Sequence, residues 1–280
     1  MLKEKCIVMF SGGLDSRLVL KIMQKKAYDV TALYFKLPFS KNVEKEVKKF
    51  CKKQKAKLKV LDYTKGKLLK NYLKMLKKPK YGRGSGFNPC IDCRLFMFQM
   101  AKKYANKNKI KIIASGEVLG QRPMSQHKKA LEITTKESRL GERLIRPLSK
   151  ERITGRSRKK QIQMAKKFKI SYPGPAGGCL LCEKGLKTRF KFLIRDNMIN
   201  EKNLPLVSIG RHFINSKRWV VLGRNKKENE IIEKQKGIKV IPMQPGPSAW
   251  ISNKKLMPKA KKLIKKYSKH NIKDFETKSK

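Results

Sequence analysis

Short apolar runs alternate with amphipathic segments through the first 115 residues. Such a run is typical of a strand buried in a parallel sheet, and apolar residues three or four positions apart are typical of a helix. The pattern predicts strands over 6–10, 28–35, 58–61 and 110–114, and helices over about 15–26, 41–55, 68–76 and 89–106. This alternation indicates the α/β class, with a doubly wound parallel sheet that binds ligands at the carboxyl ends of its strands.

The pattern changes along the rest of the chain. Further helices are predicted over 124–131, 153–168, 186–194 and 228–234. Shorter strands are predicted over 207–213, 219–225 and 238–241. We therefore predict four segments, which are a main α/β domain (1–170), a connector with cysteines that completes the site (171–203), a smaller α+β domain (204–253) and a basic tail with a frayed end (254–280).

The first apolar run leads into a loop, Ser11-Gly12-Gly13-Leu14-Asp15-Ser16, and a helical pattern follows at once. Glycines let the backbone turn sharply and approach a ligand. The start of a helix presents N–H groups and the positive end of its dipole to an anion. The loop lacks the Gly-Lys-Ser/Thr sequence of a Walker A motif, so it predicts a phosphate site of a different kind.

The charge of the chain points to a polyanionic partner. Its 280 residues include 72 Lys and Arg against 20 Asp and Glu, a formal net charge of +52. Nucleic acid is the natural partner for such a chain, and a Lys-biased proteome or an anionic membrane surface are the alternatives. No apolar run approaches the length of a membrane span, and the first residues do not resemble a signal peptide. We therefore predict a soluble, cytoplasmic protein that does not enter a membrane.

Four of the six cysteines form two Cys-x-x-Cys pairs, Cys90/Cys93 and Cys179/Cys182. The other two, Cys6 and Cys51, lie in predicted core elements and are interpreted as structural. Asn88 and Pro89 predict a helix start that places the first pair in the first turn, where the helix dipole favours thiolate. From spacing alone, the pairs suit a structural zinc site, a dithiol redox pair or an iron–sulfur cluster.

The motif SGGLDS resembles the PP-loop of the N-type ATP pyrophosphatases, whose fold is the adenine nucleotide alpha hydrolase-like one. Together with NPCIDC at 88–93 and AGGC at 176–179, it resembles the tRNA thiouridylases and thiouridine synthetases over roughly residues 5–195. The resemblance implies an enzyme that splits ATP to AMP and pyrophosphate. Such an enzyme adenylates a uridine carbonyl of tRNA and replaces its oxygen with sulfur to give thiouridine.

The resemblance also implies site residues. The pyrophosphate and its Mg²⁺ would be held by Ser11, Gly12, Gly13, Asp15 and Ser16, and backbone at Tyr34, Phe35 and Gly116 would flank the adenosine. The catalytic residues would be Asp15, Cys90 and Cys179. In one form of the family Cys90, Cys93 and Cys179 would bind a [4Fe–4S] cluster, with Cys182 a possible fourth ligand. In the other form, a cysteine of the first pair carries a persulfide that Cys179 resolves, with sulfide or a cysteine desulfurase as sulfur donor.

The C-terminal third resembles the RNA-binding module of the NFACT proteins through two short motifs. These are GRN-x3-N, which starts at Gly223 and ends at Asn229, and PGPS at 245–248. The resemblance implies RNA contacts from Arg211, Arg224 and Asn225. Two other functions compete with thiolation. One is a non-catalytic RNA-binding protein with a relic nucleotide site, and the other is a zinc-containing PP-loop ligase such as a 7-cyano-7-deazaguanine synthase.

Overall fold

The computed structural model describes residues 3–174 and 178–279. The chain forms two compact units, one of Met1–Tyr63 with Lys74–Cys179 and the other of Thr64–Leu73 with Leu180–Lys280. The unit boundary after residue 179 falls inside the predicted connector 171–203.

A parallel five-stranded sheet forms the centre of the first unit, as the alternating pattern predicts. Its strands lie in the order β3-β2-β1-β4-β5 and are β1 (Lys5–Phe10), β2 (Asp29–Lys36), β3 (Lys57–Asp62), β4 (Ile112–Ala114) and β5 (Leu144–Ile145). Every neighbouring pair in this sheet is parallel. Residues 6–10 of β1 are all buried, as expected for a central strand covered on both faces.

Helices follow the strands and supply the rest of the apolar core. They are α1 (Leu14–Lys25), α2 (Glu44–Lys53), α3 (Gly66–Lys77), α4 (Cys90–Lys107), α5 (Lys128–Ser138), α6 (Pro147–Lys150) and α7 (Lys159–Lys167). Only residues 74–77 of α3 belong to the first unit, because its residues 66–73 belong to the second. Helix α1 buries Leu18, Val19 and Leu20 against the sheet, and Cys6 and Cys51 lie in the same core. The structural interpretation of these two cysteines agrees with their burial.

Two predicted helices begin later than the pattern indicates. Helix α5 starts at Lys128 because the Nδ1 atom of His127 accepts a hydrogen bond from the amide of Ala130 (3.2 Å) and caps the helix. Helix α7 starts at Lys159 because Gly155 has a φ of +77° and donates its N–H to the carbonyl of Leu119 (2.7 Å). This bond lies next to a bridge between Leu119 and Thr154, so the predicted helix over 153–168 is wrong over 153–158.

The second unit contains an antiparallel five-stranded sheet in the order β10-β8-β9-β7-β6. The elements of this unit are α8 (Lys187–Arg195), β6 (Arg211–Asn215), β7 (Arg218–Leu222), α9 (Lys226–Lys234), β8 (Ile238–Pro242), β9 (Ala249–Ile251), α10 (Met257–Tyr267) and β10 (Phe275–Ser279). The frayed end predicted for the chain is wrong, because β10 pairs with β8 over five residues, Phe275 to Ser279. Helices and sheet together give the predicted α+β character.

No helix in the described part of the chain has both the length and the apolar composition that crossing a membrane requires.

The second unit should lose stability in mild acid because of His212. Its Nε2–H donates to the carbonyl of Ile209 (2.7 Å), and its Nδ1 accepts from the indole of Trp219 (3.0 Å). Burial lowers the pKa of His212 from 6.5 to about 3, so its contribution to stability is complete above pH 6.5 and is lost as the pH falls towards 3. Both tryptophans, Trp219 and Trp250, lie in this sheet, so urea unfolding followed by tryptophan fluorescence reports on this unit.

We expect the unfolding free energy to fall between pH 7 and pH 4, by at most about 1.4 kcal/mol per pH unit from this group. The variant His212→Gln should flatten that dependence, whereas His270→Gln, at an exposed position, should retain it. Equal slopes in the two variants would contradict this role of His212.

Candidate functional site

The predicted phosphate loop lies at the carboxyl end of the central strand β1. Gly12 has a φ of +80°, and a Cβ there would lie 2.9 Å from Cγ2 of Val47, so a side chain is excluded. The Ser16 hydroxyl donates to the carbonyl of Gly13 (2.9 Å), and the Ser11 hydroxyl donates to the Ser16 oxygen (3.3 Å). Helix α1 begins with Gly13 as its N-cap and with no side-chain capping bond. Its first amides are therefore directed at an open position that suits an anion.

A buried arginine that sequence reasoning missed supports this loop. Arg17 donates from Nε to the carbonyl of Gly12 (2.7 Å) and from Nη1 to the carbonyl of Ser171 (2.6 Å). Its guanidinium lies 4.3 Å from the ring centroid of Phe50. The side chain is only 6 % exposed, so these two hydrogen bonds and the ring contact replace the hydrogen bonds with water that the guanidinium loses on burial. In the sequence, the one indication of a buried role is that Arg17 stands among the apolar residues of the helix after the loop.

Asp15 in the first turn of α1 has one occupied and one open oxygen. Its Oδ2 accepts a hydrogen bond from Nε2 of Gln121 (3.0 Å), and its Oδ1 is buried and accepts none from the described residues. Burial raises the pKa of Asp15, while the Gln121 bond and the charges of Arg158 and Arg122 oppose that rise. An open carboxylate oxygen at a phosphate loop fits the chemistry of Mg²⁺, which prefers oxygen ligands.

A second glutamine faces the same carboxylate. Gln161 on α7 is fully buried, and neither atom of its amide has a hydrogen-bond partner in the described residues. Its proximity to Asp15 also lowers the pKa of that carboxyl. The predicted helix over 153–168 gave no sign of this role, since the apolar pattern treats a glutamine as a solvent-facing position.

The residues predicted to flank an adenosine lie beside the loop. Tyr34 is opposite Phe10 in the β1–β2 register, and Tyr34 and Phe35 are buried near the carboxyl end of β2. Gly116 follows β4, and a Cβ there would lie 3.1 Å from the carbonyl carbon of Asp15 and 3.2 Å from the amide nitrogen of Ser16. The backbone after β4 therefore contacts the first turn of α1 closely, as the Ser-Gly sequence predicts.

The first cysteine pair lies in the first turn of α4, as predicted. The helix begins at Cys90 with Pro89 as its N-cap, and Asn88 does not cap it. Instead, the Asn88 amide donates to Sγ of Cys90 (3.0 Å), a bond that favours a negatively charged sulfur. Asp92 accepts bonds from the amides of Lys80 (2.6 Å) and Tyr81 (3.0 Å). These bonds fix the turn that carries both thiols.

Helix α4 is held at the carboxyl edge of the sheet from two sides. The ring of Phe96 packs edge-on against Tyr63, which follows β3, with centroids 5.4 Å apart. On the other side, Nε of Arg94 lies 3.1 Å from Oε1 of Glu117, which follows β4. Because β2 and β1 lie between β3 and β4, these contacts place the start of α4 at the edge where the phosphate loop begins.

Cys179 is placed at the same edge by the segment after β2. It forms an antiparallel bridge with Ser40, and the amide of Lys41 donates to the carbonyl of Gly178 (3.4 Å). Two of the four residues of the AGGC motif, at 176 and 177, lie outside the described residues. Cys182 belongs to the second unit.

The cluster predicted from the resemblance finds no ready ligand set. Over residues 3–174 and 178–279, no three His, Cys, Asp or Glu side chains are grouped to hold a metal ion. The thiols of Cys90, Cys93 and Cys179 lie at the same edge of the sheet. The described residues therefore do not support a [4Fe–4S] cluster.

The residues predicted to contact RNA have different surroundings. Arg211 on β6 is exposed, and its guanidinium lies 4.8 Å from the ring centroid of Tyr267. The guanidinium Nε of Arg224 lies 3.0 Å from both carboxylate oxygens of Glu228, and this pair lowers the pKa of Glu228 to about 2. The side chain of Asn225 caps α9 by accepting from the amide of Glu228 (3.0 Å).

The two motifs of the C-terminal resemblance meet in the structure. The side-chain Nδ2 of Asn229 donates to the carbonyl of Gly246 (3.0 Å), and its Oδ1 accepts from the backbone amide of Ser248 (3.1 Å). A Cβ on Gly223 would lie within 2.0 Å of the same Oδ1, which explains the glycine. GRN-x3-N and PGPS therefore form one hydrogen-bonded corner of the second unit.

Comparison with known family models finds a match over more than half of the chain. The family model described as thiamine biosynthesis protein (ThiI) matches residues 1–191. No curated protein matches the chain.

Two solved structures resemble parts of the chain. A predicted subunit of tRNA methyltransferase from Methanocaldococcus jannaschii is 19% identical, with a TM-score of 0.40 over 59% of this chain and 76% of that one. The NMN synthetase from Francisella tularensis is 12% identical, with a TM-score of 0.42 over 70% of this chain and 76% of that one.

The contacts of Asp15 predict how nucleotide binding depends on pH. Replacing Gln121 with Leu removes a hydrogen bond that stabilises the ionised carboxylate, so the pKa of Asp15 should rise further. The affinity for Mg·ATP, measured by calorimetry between pH 5 and pH 8, should then weaken at a higher pH than in the wild type. Gln163→Leu, at an exposed position on α7, is the matched control and should keep the wild-type profile. A Gln121→Leu profile that superimposes on the wild type would contradict this account.

Proposed function

The chain belongs to the ThiI family, and from that premise we propose that it is an ATP-dependent tRNA sulfurtransferase that converts a uridine carbonyl to a thiocarbonyl. The observation that carries the proposal is the shared edge of the parallel sheet. An open phosphate loop after β1, the first turn of α4 with its thiols and the segment of Cys179 all meet there. Thiolation needs activation by a nucleotide and delivery of sulfur at one carbon atom.

The loop carries out the activating step. The uridine carbonyl oxygen attacks the α-phosphorus of ATP, pyrophosphate leaves, and the base carries AMP on that oxygen. Amides at the start of α1 and the hydroxyls of Ser11 and Ser16 hold the departing pyrophosphate. Asp15 would hold a Mg²⁺ ion, which supplies positive charge to the phosphates. Arg17 keeps the loop in this shape from behind.

The cysteines carry out the sulfur step. A persulfide on Cys90 attacks the activated carbon with its outer sulfur, and AMP leaves with the former carbonyl oxygen. The thiolate of Cys179 then attacks the inner sulfur, which releases the thiouridine and leaves a Cys90–Cys179 disulfide. A dithiol reductant restores the two thiols, and a cysteine desulfurase renews the persulfide. The hydrogen bond from Asn88 to Cys90 supports this sulfur as the carrier.

We route no step through an iron–sulfur cluster, because the three thiols are not grouped as ligands in the described residues. The persulfide route uses two of the same cysteines, Cys90 and Cys179, and needs no metal ion. It also leaves Cys182 without a chemical role.

The substrate proposed is tRNA, acted on in the cytoplasm. A net charge of +52 supplies the attraction for its phosphates, and exposed Arg211 beside Tyr267 adds a cation and a stacking surface in the second unit.

Cysteine variants test the sulfur step. Full-length protein, purified anaerobically with its iron and zinc measured, is incubated with tRNA, ATP, cysteine and a cysteine desulfurase. Cys90→Ser and Cys179→Ser should each reduce thiouridine by about a hundredfold or more and still release AMP when tRNA is present. Cys51→Ser, in the core, is the matched control and should keep thiolation, as should Cys182→Ser.

Two results would contradict the proposal. Wild-type protein that forms neither thiouridine nor tRNA-dependent AMP would remove the sulfurtransferase function. Thiouridine formation that rises in proportion to bound iron and stops when a chelator removes it would replace the persulfide with a cluster.

Salt dependence tests the RNA contacts. If about six phosphates are neutralised, a plot of log affinity for tRNA against log salt concentration should have a slope near −5. Arg211→Ala should make the slope less steep by about one unit. Arg224→Ala is the comparison, and it should change the slope less because Glu228 already pairs with that guanidinium. An affinity that does not vary with salt would contradict a phosphate-based interface.

A further inference from the structure

Glu117 is a buried carboxylate in a chain that has few acids. Its side chain is fully buried, and the whole sequence contains 20 Asp and Glu among 280 residues. Burying a carboxylate costs several kcal/mol of hydration, and an ion pair recovers that cost only when the geometry is good. A hydrophobic residue would fill the same space without the cost. The position therefore calls for a reason other than stability.

Two arginines hold the carboxylate, one at each oxygen. Arg94 Nε forms an ion pair with Oε1 at 3.1 Å without hydrogen-bond geometry, and Arg146 Nε donates a hydrogen bond to Oε2 (3.0 Å). Arg146 also donates to the hydroxyl of Thr135 (2.9 Å) on α5. Glu117 therefore joins three separate elements, which are the segment after β4, the first turns of α4 and the start of α6.

The two residues of this ion pair, Glu117 and Arg94, are next in sequence to the phosphate-loop contact and to the first cysteine pair. Gly116, next to Glu117, is the residue that contacts the Asp15 and Ser16 backbone of the phosphate loop. Arg94, at the other end of the pair, directly follows Cys93. A continuous line of contacts thus runs from the nucleotide loop through Gly116, Glu117 and Arg94 to the turn that carries the thiols.

We propose that Glu117 is a positioning residue that couples the nucleotide loop to the first cysteine pair. The inference rests on the proposed function and deepens it, because sulfur must reach the carbon that carries AMP within about 3–3.5 Å. Glu117 touches no reacting atom. Its pair with Arg94 sets the distance between the element that activates the base and the element that delivers sulfur.

The coupling is measured by the ratio of thiouridine formed to AMP released. Glu117→Gln keeps the shape and removes the charge that attracts both arginines. We expect tRNA-dependent AMP release within about threefold of wild type, while thiouridine per AMP falls by about tenfold or more, because a misplaced sulfur leaves the activated base to water. Arg94→Lys keeps the charge without the planar fork and should give an intermediate ratio.

A stability control separates positioning from general weakening. Ile113→Val removes one methylene from the core of β4 and typically costs about 0.5–1.5 kcal/mol. It should lower the melting temperature and leave thiouridine per AMP unchanged. If Glu117→Gln keeps the wild-type ratio, or if Ile113→Val lowers it equally, the positioning role is overturned.

A second readout does not depend on thiolation. Alkylation of Cys90 and Cys93 by a maleimide, followed by mass spectrometry, is measured with and without the Mg²⁺ complex of a non-hydrolysable ATP analogue. The nucleotide should change the wild-type rate by about fivefold or more, and Glu117→Gln should remove that response. A response of equal size in the variant, or none in the wild type, overturns the coupling. Absence of thiouridine in the wild type with the alkylation response intact would instead reject the proposed function alone.

Discussion

The first unit depends on the open N-terminus of helix α1. The amides of its first turn have no side-chain cap, and the loop before them holds its shape through the positive φ of Gly12 and the buried guanidinium of Arg17. Unpaired amides at a buried helix start are costly unless an anion or water meets them. The loop therefore suits an anionic ligand, and the parallel sheet sets the position of the loop.

The other candidate site residues lie at the same carboxyl edge of the sheet as the phosphate loop. The segment after β2 reaches this edge and holds Cys179 there through the bridge at Ser40, and the segment after β4 brings Gly116 and Glu117 to it. Helix α4 is fastened there by Tyr63 and Glu117. Parallel topology, together with these contacts, explains why residues more than a hundred positions apart in sequence lie at one edge.

Local pattern predicted much of this arrangement, and contacts distant in sequence account for the rest. The strands, the phosphate loop and the helix start at the first cysteine pair follow from short-range signals. Gln121 and Arg17 could not be found in this way, because their partners lie 106 and 154 residues away. The predicted helix over 153–168 is absent over 153–158 because of the bridge between 119 and 154, which periodicity does not encode. The ion pair between Arg224 and Glu228, four residues apart on either side of the start of α9, was also not predicted from the sequence.

We propose that residues at a single edge of the sheet activate a tRNA base with ATP and then deliver sulfur to it. The most direct measurement is the stoichiometry of products when wild-type protein reacts with tRNA, ATP and a persulfide-generating desulfurase. The account predicts equal amounts of AMP, pyrophosphate and thiouridine, with none formed when tRNA is omitted. AMP released at the same rate without tRNA, or thiouridine formed without ATP, would contradict it.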